Sequence, residues 1–353
     1  SKSEIVTDGQ SLLPLLQGRT DQARGWMFQS YSKGGNAPYR CFVRDAEWKL
    51  YADGRLFHVP QDWLEKFPIT GEVGAAARKR LQPILDKILA GNPDNIDALF
   101  LKAGLLDLDK KLDEAESLFR QIIQLDAKQT RAYMGLSRIF AAKGQLDLAE
   151  EYLVKAADID PQDIKPRLIL FNFYQSKKQF KKAEAIMEES IRMNPDNAEL
   201  LIYQGNYFAQ RKMNQKAEAS YAAAMEKDPD NLRSYMVAAG FYERTGNNEK
   251  ALALYTKAQD RQPDDIRIKN TIARFYLKNK DLDQAGSTID NILLERPNYF
   301  PTRLLKGELL VQKREFDSAI DILNQLVKEE PKSSRAHYFL GVSYLSKGDS
   351  SMA

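Results

Sequence analysis

Downstream of about Asn92, apolar positions recur with the spacing of one helix face, broken at even intervals by short polar turns. Leu232 to Arg244 reads as one helix, Thr245-Gly246-Asn247 as a turn, and Asn248 to Arg261 as a second helix. Gln262-Pro263-Asp264-Asp265 then stops it, because proline cannot continue a helix and Asp or Asn can cap the next one. The same punctuation returns as Asn194-Pro195-Asp196-Asn197 and Asp228-Pro229-Asp230-Asn231. An alanine keeps a step of 34 residues through Ala115, Ala149, Ala183, Ala217, Ala251, Ala285, Ala319 and Ala353. A proline keeps the same step from Pro161 to Pro331, with Pro93 in phase and Ala127 breaking the series. A fixed period of this length predicts stacked helix-turn-helix units rather than one globular core.

The periodic residues also predict how the units pack. Each alanine falls near the start of a second helix, where a small side chain lets helices approach closely. Four residues beyond stand Phe119, Leu153, Met187, Tyr221, Tyr255, Ile289 and Leu323. Small residues at Ala103, Gly205, Ala239, Ala273, Gly307 and Gly341 mark the close approach in the first helix. Tyr174, Tyr242, Tyr276, Tyr344, Phe140 and Phe208 lie three residues after that row, and core packing is their expected role.

This pattern resembles the tetratricopeptide repeat family from about Ile96 to Ala353. The resemblance implies a mostly α chain, a right-handed α-solenoid of seven full units and a truncated eighth over residues 93–353. The family's early Trp is replaced by Leu99, Tyr133, Arg167, Leu201, Tyr235, Lys269, Arg303 and His337. The eighth unit stops one turn into its second helix, so the expectation is a piece of a longer chain, with an apolar face left uncovered.

In such solenoids the first helices line a concave surface. Arg131, Lys165, Arg233 and Arg267 fall in one row of it. Phe100, Met134, Leu168, Ile202 and Met236 follow in a second, and Arg138, Asn172, Asn206 and Arg274 in a third. An apolar stripe flanked by Arg, Lys and Asn suits an extended, mildly acidic peptide: the stripe supplies area and the polar groups supply hydrogen bonds. The alternative is that the middle row is partly buried scaffold and the charges are a solvated face. Lys165, Asn172 and Asn206 are fragments of the Lys/Asn/Arg set with which some family members grip a C-terminal carboxylate, without the full arrangement.

Charge adds a constraint. The net charge is +3, and residues 1–92 hold 13 Lys/Arg against 10 Asp/Glu, which leaves the array neutral. A neutral array is not built for nucleic acid. No apolar run approaches the ~20 residues needed to span a bilayer, and Ser1 to Glu4 opens no signal peptide. A bacterial cytoplasm and a periplasm are both compatible with the chain. One cysteine, Cys41, and two distant histidines, His58 and His337, exclude a disulfide framework and a multi-Cys zinc site. No cofactor or metal is expected.

The first ninety residues differ. All three tryptophans, Trp26, Trp48 and Trp63, lie there. Tyr39 to Asp45, Trp48 to Tyr51 and Arg55 to Val59 read as strands, with a turn at Ala52-Asp53-Gly54, so a small α+β subdomain with an antiparallel sheet is expected over residues 1–72. Ala75 to Leu89 is amphipathic, with Leu81, Ile84, Leu85 and Ile88 on one face, and residues 73–92 form the connecting helix. Leu81, Leu85 and Ile88 lie one step before Ala115, Phe119 and Ile122, so this helix can act as the second helix of an incomplete leading repeat. Pro83 argues for a kink or a late start.

Asp8-Gly9-Gln10-Ser11-Leu12-Leu13-Pro14-Leu15-Leu16-Gln17-Gly18, Val43-Arg44-Asp45, Trp48-Lys49-Leu50-Tyr51, Gly54-Arg55-Leu56-Phe57 and the Asp62 to Pro68 exit resemble the C-terminal subdomain of arylsulfatase-type sulfatases. That resemblance implies an upstream catalytic domain carrying the nucleophile and calcium ligands. Cys41-Phe42-Val43-Arg44 lacks the spacing and the small residue of the family's nucleophile motif. The chain therefore reads as a non-catalytic interaction scaffold for a protein or peptide. The alternative is the tail of a sulfatase, with the repeats as a recruiting module.

Overall fold

The computed structural model describes residues 6–7, 26–31, 40–45, 47–51, 55–58 and 71–348. The chain divides into two compact units, Ser1–Met193 and Asn194–Ala353. The first opens with β1 (Val6–Thr7), β2 (Trp26–Tyr31), β3 (Arg40–Asp45), β4 (Trp48–Tyr51) and β5 (Leu56–His58). They form one antiparallel sheet in sequence order. Register lines up Phe28, Val43, Leu50 and Leu56 across neighbouring strands. Because strand side chains alternate, these four face one side together. All four are buried there against Ala77, Leu81 and Leu85 of α1 (Gly71–Gly91). Phe42, Tyr51 and Phe57 cluster separately, in the alternate positions of the same strands. The turn expected at residues 52–54 lies outside the described residues.

Pro83 neither delays nor ends α1, which begins before Ala75 and runs through it. The proline is exposed, while Leu81 and Leu85 on either side of it are fully buried. That burial holds the helix across the missing hydrogen bond. The same apolar cluster includes Ala98, Leu101 and Leu105 of α2 (Ile96–Leu108), so α1 is shared between the sheet and the first repeat.

From α2 onward the helices alternate in length with little variation. The first unit continues with α3 (Leu112–Leu125), α4 (Thr130–Ala142), α5 (Leu146–Ile159), α6 (Ile164–Ser176) and α7 (Phe180–Met193). The second unit holds α8 (Ala198–Gln210), α9 (Asn214–Lys227), α10 (Leu232–Arg244), α11 (Asn248–Arg261), α12 (Ile266–Lys278), α13 (Leu282–Glu295), α14 (Phe300–Gln312), α15 (Phe316–Glu329) and α16 (Ser334–Lys347). Each unit of the repeat is thus a helix pair, and pairs stack as a solenoid. The helix bounds read for the unit from Leu232 to Arg261 match α10 and α11.

The alanine row is fully buried from Ala115 to Ala319, and the large residues four positions later are all within the core. Ala353 lies outside the described residues. Close approach is tightest at glycine: a methyl group on Gly205 would lie 2.5 Å from the Tyr221 ring, and one on Gly307 2.8 Å from Leu323. At the last described helix the core thins, leaving Tyr338 and Leu345 exposed.

The turn inside each repeat carries a backbone period of its own. Lys110, Gly144, Lys178, Lys212, Gly246, Lys280, Arg314 and Gly348 all adopt positive φ, between 56° and 92°. Only glycine takes this left-handed conformation without steric cost, yet five of the eight are Lys or Arg. The loops between repeats are closed instead by side-chain caps. Asn95, Asp163, Asn197, Asn231, Asp265 and Ser333 each accept a backbone N–H from the following first helix. Gln129 and Tyr299, at the same step, do not.

Candidate functional site

All thirteen residues expected to line the binding surface lie on first helices. In the first unit Phe100 is on α2, Arg131, Met134 and Arg138 on α4, and Lys165, Leu168 and Asn172 on α6. The structure brings successive rows together: the Arg131 guanidinium stacks 4.4 Å above the Phe100 ring, and Arg138 pairs with Asp107. Met134 and Leu168 are half-buried, whereas Lys165 and Asn172 are exposed. The Asn172 amide oxygen accepts from Gln175 at 3.2 Å.

In the second unit Ile202 and Asn206 are on α8, Arg233 and Met236 on α10, and Arg267 and Arg274 on α12. Arg233 pairs with Glu199, and Arg267 pairs at 2.6 Å with Asp265. The Arg267 guanidinium holds the Asp265 carboxyl below its ordinary range. Met236 is half-buried and Arg274 exposed.

Within the middle row Phe100 and Ile202 are buried, at 4% and 0% exposure, while Met134, Leu168 and Met236 are half-buried. Arg138, Arg233 and Arg267 are each paired with a carboxylate of this chain while remaining exposed. Periodicity identifies the helix face but does not reveal such pairs, which join residues one repeat apart or across a cap.

Other polar clusters hold the array together. The Tyr174 hydroxyl and Lys182 both reach Glu150, and Tyr242 and Lys250 both reach Glu218. Burial, reinforced by Glu150, pushes the Tyr174 hydroxyl up to about 12. The former Trp position has its own logic. Lys269 bonds Glu295 at 2.7 Å and Arg303 bonds Glu329 at 2.6 Å, each within one repeat. Arg167 occupies the equivalent place and is only 3% exposed. Where the others meet a glutamate it has Met193, and its Nε finds no acceptor. Glu189 stands 3.4 Å from its Nη1.

The sequence did not single out a cavity in the second unit, of about 430 Å³, where the ends of α8 and α10 meet the start of α9. Asn206, Ala209, Gln210, Lys212, Asn214, Phe241, Arg244 and Thr245 line it, and Asn206 is the one expected site residue among them. The missed signal is compositional: two cations and three amides at first-helix ends and turns, with no carboxylate. Among the described residues no group of three or more His, Cys, Asp or Glu is placed to hold a metal ion. No described helix is long and apolar enough to cross a membrane.

Stacked pairs of helices with a small-residue seam, repeated at a constant step, define a helical-repeat protein built for contacts along its length. The chain belongs to the tetratricopeptide repeat family, whose models match it over residues 108–163, 140–202, 174–231, 208–275, 246–301 and 276–342. One curated relative, the serine protease vicPa of Bipolaris victoriae (strain FI3), is 28% identical in an alignment of 116 residues that covers 31% of this chain and 22% of that protein. The chain thus spans about a fifth of that relative's length. Among solved structures the chain is similar to yeast Tom70, at 17% identity over 72% of this chain and 57% of that one, with a TM-score of 0.49. A tetratricopeptide repeat protein of Parabacteroides merdae is 16% identical over 70% of this chain and 98% of its own, with a TM-score of 0.45. YrrB, described as having an unusual peptide-binding site, is 24% identical over 52% of this chain and 95% of its own, with a TM-score of 0.34.

Proposed function

We propose that the chain is a protein-interaction scaffold whose first-helix rows bind an extended, mildly acidic peptide segment. One observation carries the reading. Arg131 and Lys165 stand on successive first helices beside half-buried Met134 and Leu168, with no carboxylate paired to either among the described residues. Apolar area next to unneutralised charge is the composition from which peptide hot spots are built. The reading gives most weight to Arg131 and Lys165, because Phe100 and Ile202 are buried and Arg138, Arg233 and Arg267 already have a carboxylate partner.

A displayed library of random peptides, selected on the whole chain, tests it. Enriched peptides should carry an excess of Asp and Glu and should lose binding to the Arg131→Glu, Lys165→Glu double variant. Enrichment without an acidic bias, or undiminished binding to that variant, overturns the reading. The likeness of residues 1–90 to a sulfatase subdomain rests on short motifs, and its segments 8–18 and 62–68 lie outside the described residues. No sulfatase role is proposed.

A further inference from the structure

The cavity between α8, α9 and α10 has a polarity that the packing of the solenoid does not require. In a chain with 49 acidic residues, none lines it, while Lys212 and Arg244 both do. Arg244 and Lys212 make no ion pair among the described residues, although most first-helix cations do. The helix ends at the cavity carry weaker charges. The carboxyl ends of α8 and α10 contribute roughly half a negative charge each, and the amino end of α9 about half a positive one. Two full cations outweigh them, so the cavity is positive.

Its donors are also oriented. Tyr221 is almost wholly buried, and that burial raises its hydroxyl above the ordinary phenol range, so it keeps its proton. It donates that proton to the Asn206 amide oxygen at 2.9 Å. With its oxygen occupied, Asn206 has its Nδ2 hydrogens left to give. Met213, the residue capping α9, supplies no side-chain acceptor, so the first amides of α9 beside Asn214 are not capped by their own chain. Lys212 sits in the left-handed turn at φ 59°, a position glycine would fill without strain.

We propose that this cavity is an acidic-residue subsite: it takes the carboxylate side chain of an Asp or Glu within a bound peptide. Arg244 presents the planar fork that matches a carboxylate, with Lys212 as a second charge and Asn206 Nδ2 as a directed donor. A cavity of about 430 Å³ exceeds a carboxylate alone. The amides of Gln210 and Asn214 can both donate and accept, and the Thr245 hydroxyl, which donates to the Phe241 carbonyl, can still accept, which suits peptide backbone on either side of the acidic residue. A chain terminus would use such groups on one side only. The proposal rests on the peptide-binding reading above.

The test uses the full chain, isotope-labelled for nuclear magnetic resonance, with three capped or uncapped probes. These are acetyl-Gly-Leu-Asp-Leu-Gly-amide, its Asn counterpart, and acetyl-Gly-Leu-Ala-Leu-Gly with a free terminal carboxylate. The Asp probe should shift the Asn206 side-chain amide and the Arg244 Nε–H, and the other two should not. Arg244→Gln should weaken the Asp probe about tenfold. Lys212→Gly should weaken it as well while relieving the turn, so that loss of binding cannot reflect unfolding. Lys280→Gly, the same change outside the cavity, should leave affinity unchanged. Equal shifts from the Asn probe, binding that needs the free terminus, or full affinity in Arg244→Gln overturns the subsite. Asp-probe binding lost in the Arg131→Glu, Lys165→Glu variant with cavity resonances unmoved would sink the subsite and leave the wider peptide reading standing.

Discussion

Gly205 and Tyr221 show how one side chain sets the spacing of a helix pair. The ring fills the place a methyl group would take, is 1% exposed, and is tied by its hydroxyl to Asn206, so it has little room to yield. Gly205→Ala should therefore destabilise by about 1–3 kcal/mol. Gly104→Ala, where nothing lies within 4 Å, should instead gain up to about 1 kcal/mol from helix propensity. Urea denaturation of both variants checks the pair, and equal effects would contradict it. The left-handed turns give a second residue-scale expectation. Lys280→Gly should stabilise by about 0.5–1 kcal/mol, the relief of a strained φ less the entropy of the glycine. A fall in melting temperature would show that the lysine makes compensating contacts. Arg167 gives the third. Met193→Glu would place an acceptor where Glu295 serves Lys269, and should raise stability by about 1 kcal/mol. No gain would mean that Glu189 already neutralises the guanidinium.

At the scale of elements, each first helix starts from a cap, and the exceptions are instructive. Gln129 uses its amide to bond Asp126 at 2.7 Å and leaves the first turn of α4 without a side-chain acceptor. Gln129→Asn should add about 1 kcal/mol and slow hydrogen exchange in that turn, and unchanged exchange would rule the cap out as the limiting feature. The helix pairs, their bounds and their buried seam were legible in the sequence because each rests on a local rule repeated at a fixed step. Proline stops a helix, Asn or Asp starts one, and a small residue faces a large one. The strands at Arg40–Asp45, Trp48–Tyr51 and Leu56–His58 were legible from their aromatic-rich runs and the Asp53-Gly54 turn signal, whereas those at Val6–Thr7 and Trp26–Tyr31 were not. The binding surface was legible only as a face. Whether Arg233 is a free cation or the partner of Glu199 depends on side-chain reach between repeats, which no local pattern encodes. Pro83 misled because its local cost was set against the burial of Leu81 and Leu85, which is a tertiary effect. The cavity was missed because its residues come from two helix ends and a turn, each unremarkable by itself.

On the scale of the molecule, a solenoid is stabilised by contacts between neighbours, so its ends are where cooperativity fails first. In the unit Ser1–Met193 the leading end is closed by α1. Its residues Leu81 and Leu85 belong to one cluster with Val43 and Leu50 of the sheet and with Ala98, Leu101 and Leu105 of α2. Ion pairs accompany the apolar contact: Arg80 meets Asp45 at 2.7 Å on the sheet side, and Lys102 of α2 meets Asp86 at 2.7 Å. Each pair has one half-exposed partner, Arg80 or Asp86, so the fully buried apolar cluster is the decisive term. Removing its centre should loosen both neighbours together. Leu85→Ala, at a position with no exposure, should cost about 2–5 kcal/mol. Hydrogen exchange read by mass spectrometry should then rise in β3 and β4 and in α2 by similar factors, while α6 stays protected. Arg80→Ala, which breaks the ion pairs to Asp45 and Glu47 but leaves the apolar cluster intact, should leave α2 unchanged. Faster exchange in the sheet with α2 unaffected in Leu85→Ala would show that the first repeat closes by itself and that α1 belongs to the sheet alone.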